Sequence, residues 1–262
     1  MSRRTSLEVI WQKIVAEAKV AALAEPLLAP YFAKSILNHQ NLGAALSAQL
    51  CSKLASSAAT EDMLGDVLRP IFADKNLLIK AAKDIEATVD RDSACTLHST
   101  VLLYFKGFLS LQAYRAAHAL WLEGRTSLAL LLQHRTSLSF AVDIHPAAEI
   151  GCGIMIDHAT GLVVGETAVI EDAVSIMQLV TLGGTGKDGG DRHPKIRKGA
   201  LIGPGATVLG NIEVGEGAMV SAASVVLKDV NAHTVVAGVP ATQIGTLETD
   251  FAATQMNQWL IK

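Results

Sequence analysis

The sequence predicts an α+β chain: an N-terminal α-helical domain over residues 1–142, then a parallel β-helix over residues 143–245 with a loop extruded at 183–195. Three observations carry this. Glycine use changes abruptly, since Gly43, Gly65, Gly107 and Gly124 precede residue 143 and the other 17 of 21 glycines follow it. The first part is rich in Ala and Leu, with apolar residues at three- and four-residue steps, the spacing of a helix face. The second part repeats an aliphatic residue every six positions, a period that neither a helix nor a hairpin explains.

In the helical part, breaks are expected near Pro26–Pro30, Pro70 and Asp90–Ala94, because proline lacks the amide that a helix interior uses. The spacing of Val101, Leu102, Phe105, Phe108, Leu109 and Gln112 reads as helix. The six-residue series runs through Ile144, Ile150, Ile156 and Leu162. After a two-residue slip it resumes at Val164, Ile170, Ile176 and Leu182, then returns at Ile196, Ile202, Val208, Val214, Val220 and Val226. A triangular coil accounts for it. Six residues make one flat side and a corner, and three such units make a turn of about 18 residues whose inward aliphatics stack on the next turn. Small residues and glycine let the corners turn tightly. From Gly183 to Lys195 no aliphatic appears, so this stretch must leave the prism, as a functional loop or as a plain surface insertion. After Gly245 the repeat is lost, and residues 246–262 are expected to form a mobile tail.

The bulk properties narrow the function. The net charge is -3 and mean hydropathy is +0.34. Acids and bases nearly balance, so no basic field exists to collect nucleic acid. No run of about 18 apolar residues is free of charge, so no membrane span is expected. Cys51, Cys95 and Cys152 are widely spaced with no CxxC. That spacing suits reduced thiols in a cytoplasmic chain better than a disulfide framework or a zinc site. No apolar segment of signal-peptide type follows Met1.

Of eight histidines, His158 stands out, because it lies in Asp157-His158-Ala159-Thr160-Gly161 beside the register slip. A neutral imidazole suits the abstraction of a proton near neutral pH. Asp143 is 15 residues earlier, a little under one turn, so the two could meet on adjacent turns. From spacing alone, His158 is either a general base or a structural corner residue.

The six-residue repeat resembles that of the hexapeptide-repeat acyltransferases, whose fold is a left-handed parallel β-helix. The motifs within it are more selective. Asp143-Ile144-His145-Pro146, Asp157-His158-Ala159-Thr160-Gly161, Val164-Gly165-Glu166-Thr167, Val180-Thr181-Leu182-Gly183-Gly184-Thr185-Gly186-Lys187 and Asp191-Arg192-His193-Pro194 resemble serine O-acetyltransferases. So do Arg91-Asp92 and Tyr104-Phe105-Lys106-Gly107-Phe108 in the helical part. The resemblance implies acetyl transfer from acetyl-CoA to L-serine, without a metal, as the first step of cysteine synthesis. It implies His158 as base and Asp143 as its orienting acid. His193, counted with the catalytic residues, and Arg192 would hold substrate from the loop, with Arg192 suited to the carboxylate, and Asp92 with Asp157 would take the ammonium group. Glu166 would support the site. CoA would run along the prism near Gly184, Pro204 and Ala222, although Pro204 has no amide to donate.

The resemblance further implies a homohexamer built as a dimer of trimers, with L-cysteine as feedback inhibitor. It also raises O-acetylserine sulfhydrylase as a partner through the C-terminus. The ending Ile261-Lys262 argues against that docking, which uses a terminal isoleucine. The alternative acceptor is a sugar or xenobiotic hydroxyl, whose enzymes usually lack this helical domain. A zinc-dependent carbonic anhydrase on the same prism would need three converging histidines, and no suitable pair is evident.

Overall fold

The computed structural model describes residues 7–186, 189–248 and 251–256. The helical domain comprises α1 (Leu7–Ala24), α2 (Ala29–Phe32), α3 (Leu42–Leu54), α4 (Glu61–Ile71), α5 (Lys75–Arg91), α6 (His98–Tyr104), α7 (Lys106–Leu122) and α8 (Thr126–Phe140). Helices α3, α4 and α5 start where the side chains of Asn41, Thr60 and Asp74 accept otherwise unpaired amides at 2.9, 3.3 and 2.8 Å, the usual role of such residues at a helix start. The chain breaks after Ala24 and after Arg91, as expected, and Pro70 falls in the last turn of α4.

The apolar run across residues 101–112 is not one helix. Phe105 is extended and separates α6 from α7. The reason is tertiary, for a Cβ on Gly107 would lie 2.0 Å from the Ile156 carbonyl oxygen. The start of α7 therefore presses on the prism backbone, and only glycine permits that approach.

The second domain is a prism with three flat sides. The first holds Val142–Ile144, Leu162–Val164, Thr181–Gly183, Thr207–Leu209 and Val225–Val226. The second holds Glu149–Ile150, Val169–Ile170, Lys195–Ile196 and Glu213–Val214. The third holds Met155–Ile156, Ser175–Ile176, Leu201–Ile202, Met219–Val220 and Thr234–Gly238, with Ala241–Thr246 added antiparallel at its end. The prism therefore closes on a hairpin.

One aliphatic column runs behind each side. They are Ile144-Val164-Leu182-Val208-Val226, Ile150-Ile170-Ile196-Val214 and Ile156-Ile176-Ile202-Val220-Val236. None of these residues is more than 8 % exposed. Leu162, which the six-residue count put in the series, instead pairs with Val142 at the outer end of its strand, and Val164 takes the column position.

The register partners measure each turn. Val208 lies over Val226 at the plain 18-residue spacing. Ile156 lies over Ile176, two residues longer, and Ile170 over Ile196, eight residues longer. The two extra residues sit in the corner at 157–161, where His158, Ala159 and Gly161 all take positive φ (55°, 60° and 77°). The corners stacked below it each use a single such residue, Leu179, Gly205 or Ala223. The eight extra residues form the loop after Gly183.

Helix α7 lies across the first turn of the prism and ties the domains together. Asp84 of α5 is fully buried. Its Oδ2 accepts from Arg115 Nε at 3.1 Å, Arg115 Nη2 at 2.8 Å and Gln112 Nε2 at 3.0 Å, and its Oδ1 accepts the Ile154 amide at 3.0 Å. Arg115 also donates to the Gly151 and Ile150 carbonyls at 2.7 and 3.3 Å. Further along α7, Tyr114 donates to the Ala148 carbonyl and His118 Nδ1 contacts the Pro146 carbonyl at 2.7 Å.

The mobility expected after Gly245 does not hold for residues 251–256. Phe251 covers Gly199, and Lys198 Nζ lies 5.1 Å from its ring centroid. The Ala253 amide donates to the Gly199 carbonyl at 3.0 Å, and its carbonyl accepts from Ser175 Oγ at 3.1 Å. Burial of Ala252 and Ala253 supplies what the sequence pattern did not reveal. Ile261 and Lys262 lie outside the described residues.

Replacing Asp84 with Ala would leave the Arg115 guanidinium, 4 % exposed, buried without a counter-charge. We expect a loss of about 3–5 kcal/mol in folding stability, measured by urea or thermal unfolding.

Candidate active site

The candidate residues collect at the two edges of the first flat side. One edge is the corner entering it, at 157–161. There the Asp157 carboxylate lies 3.8 Å from His158 Nε2, and the His158 side chain is 71 % exposed. The two-residue insertion produces this exposure, because the inward column must keep its spacing and the surplus backbone bows outward. Burial pushes the Asp157 carboxyl up, His158 pulls it down, and the neighbouring Asp92 pushes it up again. Asp92 follows the last residue of α5, and its Oδ1 accepts the Ala94 amide at 2.8 Å. Two carboxylates therefore stand together beside an imidazole, an arrangement that a cation would relieve. Lys106, at the start of α7, donates to Thr160 Oγ1 and pins the same corner.

The other edge is the corner leaving the first side, and it carries His145, Gly165, Glu166, Thr167, Arg192 and His193. Arg192 Nη2 donates to Glu166 Oε2 at 2.6 Å and Nη1 to the Gly190 carbonyl at 3.0 Å. That bond holds the Glu166 carboxyl below its ordinary range. The His193 ring lies over Gly165, where a Cβ would come 1.9 Å from its Cδ2. The Thr167 amide donates to His193 Nδ1 at 3.2 Å. Lys195 Nζ donates to the carbonyls of Thr167 and His193 at 2.7 and 2.9 Å and closes the base of the loop. Lys187 and Asp188 of that loop lie outside the described residues.

Both histidines at this edge are shifted toward the neutral form. Burial is the largest cause for each. For His145, Glu166 and Asp143 oppose it and Arg192 reinforces it. For His193, Arg192, Lys195 and His145 reinforce it and Glu166 opposes it. His145 also accepts the Ala147 amide at Nδ1 at 3.1 Å and meets Trp121 edge-on with ring centroids 5.2 Å apart.

Asp143 stands between the two edges, at the middle of its strand, where it pairs with Val163. Its Oδ1 accepts from Gln133 Nε2 at 2.7 Å. Among the described residues it makes no hydrogen bond to His158, so the contact considered from spacing is not made in this arrangement. Of the positions expected to meet CoA, Pro204 and Ala222 share the edge of His158 on lower turns, and Gly184 lies at the opposite edge. The Pro204 carbonyl already accepts the Ala223 amide at 2.8 Å. Gln178 lies on the turn directly below His158. Its Oε1, and Ser221 Oγ further down, are buried without a hydrogen-bond partner among the described residues. This edge therefore holds two buried polar atoms whose hydrogen-bonding capacity is unused among the described residues. A separate cleft of about 880 Å³ between α5, α7 and the second side, lined by Lys80, Tyr114 and Glu149 among others, contains none of the candidate residues.

With this geometry in hand, comparison with known proteins is decisive. The family model described as serine acetyltransferase, N-terminal, matches residues 10–113. A serine acetyltransferase of Escherichia coli (strain K12) is 54% identical over 253 residues, covering 96% of this chain and 93% of that protein. The chain belongs to the serine acetyltransferase family. A solved serine acetyltransferase in complex with cysteine superposes with a TM-score of 0.95 at 51% identity, covering 98% of this chain and 100% of that one. Another, in complex with CoA, gives 0.88 at 52% identity over 91% of this chain and 100% of that one.

Set against the serine acetyltransferase motifs, sequence reasoning passed over three residues that shape the site. Thr167 sits inside a quoted motif, but its bonds arise only when the loop returns beside it. Gln178 is marked by its place one turn under His158, and Gln133 by proximity to Asp143.

Two measurements check the electrostatics. His145 and His193 should titrate below 6.5 in histidine NMR, so both rings stay neutral at pH 7. Because their folded values are depressed, they contribute stability that is complete above pH 6.5 and lost as pH falls through those values. Equilibrium unfolding across that interval should show stability falling with acidification.

Proposed function

We propose that the chain transfers acetyl from acetyl-CoA to the hydroxyl of L-serine, giving O-acetyl-L-serine and CoA, the first step of cysteine biosynthesis. The observation that carries this reading is the division of charge across one flat side. Paired acids stand beside an exposed imidazole at one edge, and an arginine with a buried histidine stands at the other. A zwitterionic acceptor needs both, and a sugar needs neither.

In this reading Asp92 and Asp157 take the serine ammonium group, and Arg192 takes the carboxylate through its fork of donors. His158 accepts the proton of serine Oγ as that oxygen attacks the thioester carbonyl, and His193 acts at the same centre. Acetyl-CoA supplies the activated acetyl group. Its elongated arm fits the edge below His158, where Gln178, Ser221 and Ala222 lie in sequence, with Gly184 approaching from the opposite edge. Pro204 contributes surface only. Asp143 is the orienting acid for His158. That role requires its carboxylate to exchange the Gln133 bond when the site assembles.

The two edges are separated by three strand residues, about 10 Å at the rise of an extended chain, more than one serine spans. We therefore propose that neighbouring prisms pack so that the His158 edge of one meets the Arg192 edge of the next, as in a trimer. Val163 on the first side and Leu179 at its edge are 39% and 59% exposed, which supports a contact there. Val20, Leu23 and Leu27 near the end of α1 are 68%, 82% and 84% exposed, which supports pairing of helical domains into a hexamer. L-cysteine, with sulfur in place of the hydroxyl, would compete with serine. Among the described residues no helix is long and apolar enough to cross a membrane, and Cys51, Cys95 and Cys152 are free thiols. Both suit the cytoplasm. Docking of O-acetylserine sulfhydrylase on the C-terminus is tested by a pull-down with chains ending at Ile261 and at Lys262.

A serine-dependent assay of acetyl-CoA consumption tests the function. His158→Ala should lower kcat by about 10²–10⁴-fold while the fold is retained, and Cys152→Ser should leave it unchanged. Turnover with sugars but not with serine would overturn the reading. Light scattering should give a hexamer, and a monomer at working concentration would contradict the shared site.

A further inference from the structure

We propose that Thr167 is a positioning residue that makes His193 a one-way hydrogen-bond donor, with its proton held on Nε2 and presented to the acyl-transfer centre. The proposal rests on the serine acetyltransferase reading above and assigns a division of labour within it.

The argument follows the hydrogens. Thr167 Oγ1 accepts two backbone amides, that of Arg192 at 3.0 Å and that of His193 at 3.1 Å. A hydroxyl oxygen has two lone pairs and one proton. With both lone pairs engaged, Thr167 has only its proton left, for which His193 Nδ1 at 2.9 Å and the Asp191 carboxylate compete, so in either case its oxygen cannot accept from Nδ1. The Thr167 amide points at the same nitrogen from 3.2 Å, and an amide can only donate. Nδ1 is therefore an acceptor, since the amide donates to it and Oγ1 has no lone pair free to receive a proton from it. A neutral imidazole that accepts at Nδ1 carries its hydrogen on Nε2.

Protonating Nδ1 would set its N–H against the Thr167 amide and against a hydroxyl oxygen with no free lone pair. The surroundings discourage that as well: Arg192, Lys195 and His145 all face the ring, and Glu166 is the one acid among the groups acting on it. Among the described residues Nε2 makes no hydrogen bond, and the missing side chain of Gly165 lets that edge of the ring lie against its backbone. The ring is held at one nitrogen and free at the other.

The chemical consequence is specific. Nε2 has no lone pair to take the proton of serine Oγ, so His193 cannot share the base role with His158. It can donate to oxygen that becomes negative when Oγ adds to the thioester carbonyl. The proton from Oγ goes to His158 and returns to the departing thiolate of CoA, so charge and atoms balance with no change at His193. A single threonine thus sets the tautomer of His193 and anchors the Arg192 backbone.

The test combines variants with a readout of the tautomer. In nitrogen-15 histidine-labelled wild type, with His193 assigned by its loss in His193→Gln, the proton should be found on Nε2. Proton on Nδ1 would overturn the proposal whatever the activity. His193→Gln keeps an amide donor near Nε2 and should retain at least about tenfold more kcat than His193→Phe, since one donor at a developing oxyanion is worth about 10²–10³-fold. Equal loss in both would indicate a base and overturn it. Thr167→Val should lower kcat and move the His193 titration upward, read by histidine NMR. Thr167→Ser should restore both. A Thr167→Val enzyme with unchanged kcat and an unchanged His193 titration would overturn the positioning role. If wild type shows no serine-dependent turnover, the functional reading fails, while the tautomer measurement still decides the role of Thr167.

Discussion

The spacing of the three aliphatic columns constrains everything else in this chain. Each inward residue packs on the one a turn above and a turn below it, and a gap or a shift in that stack would cost several kcal/mol. The inside of the prism therefore cannot absorb extra residues. Any surplus has to leave at a corner, where backbone can bow outward without disturbing the core. The chain has such surpluses at two corners flanking one flat side. Two residues lift His158 into the open, and eight form the loop that returns with Arg192 and His193. The site is in this sense a by-product of register. The scaffold stays regular so that its exceptions are held rigidly.

A second constraint joins the domains. The buried Asp84–Arg115 pair bonds to the first-turn backbone at Ile150, Gly151 and Ile154, so α5 and α7 are locked to the prism in one register. The same lock sets the position of Asp92, one residue past the end of α5, against Asp157. Gly107 completes the arrangement by letting α7 start against the Ile156 carbonyl, next to Asp157 and His158. A buried ion pair is a poor source of net stability. Here its backbone contacts give it a directional role, because they can be satisfied in one docking geometry only.

The electrostatics of the two edges differ in kind. The edge of Asp92, Asp157 and His158 is acidic and leaves a carboxyl pushed up by burial and a like charge, a state that a bound ammonium group relieves. The opposite edge is basic and closely bonded, with Arg192 paired to Glu166 and both imidazoles biased toward neutrality. A substrate bearing both charges is matched by the two edges together and by neither alone. That complementarity links the division of groups within one chain to the assembly proposed for the working enzyme.

The six-residue period, the glycine boundary and the slip beside His158 were legible from residue order, because inward stacking imposes a fixed spacing that any reader can count. The breaks near Pro26 and Arg91 and the identity of the candidate residues were legible too, through backbone chemistry and motif. Other features were not. The break at Phe105 depends on a carbonyl fifty residues away, and the docking of Phe251–Met256 depends on bare backbone at Gly199. The bonding of Asp143 to Gln133, the clamp of Thr167 on His193 and the separation of the site into two edges all pair residues distant in sequence. Local order determined the period, the corners and the inventory of chemical groups, since these follow from each residue and its neighbours. Tertiary structure alone decided which groups meet, because contacts across turns and between domains leave no periodic trace in the chain.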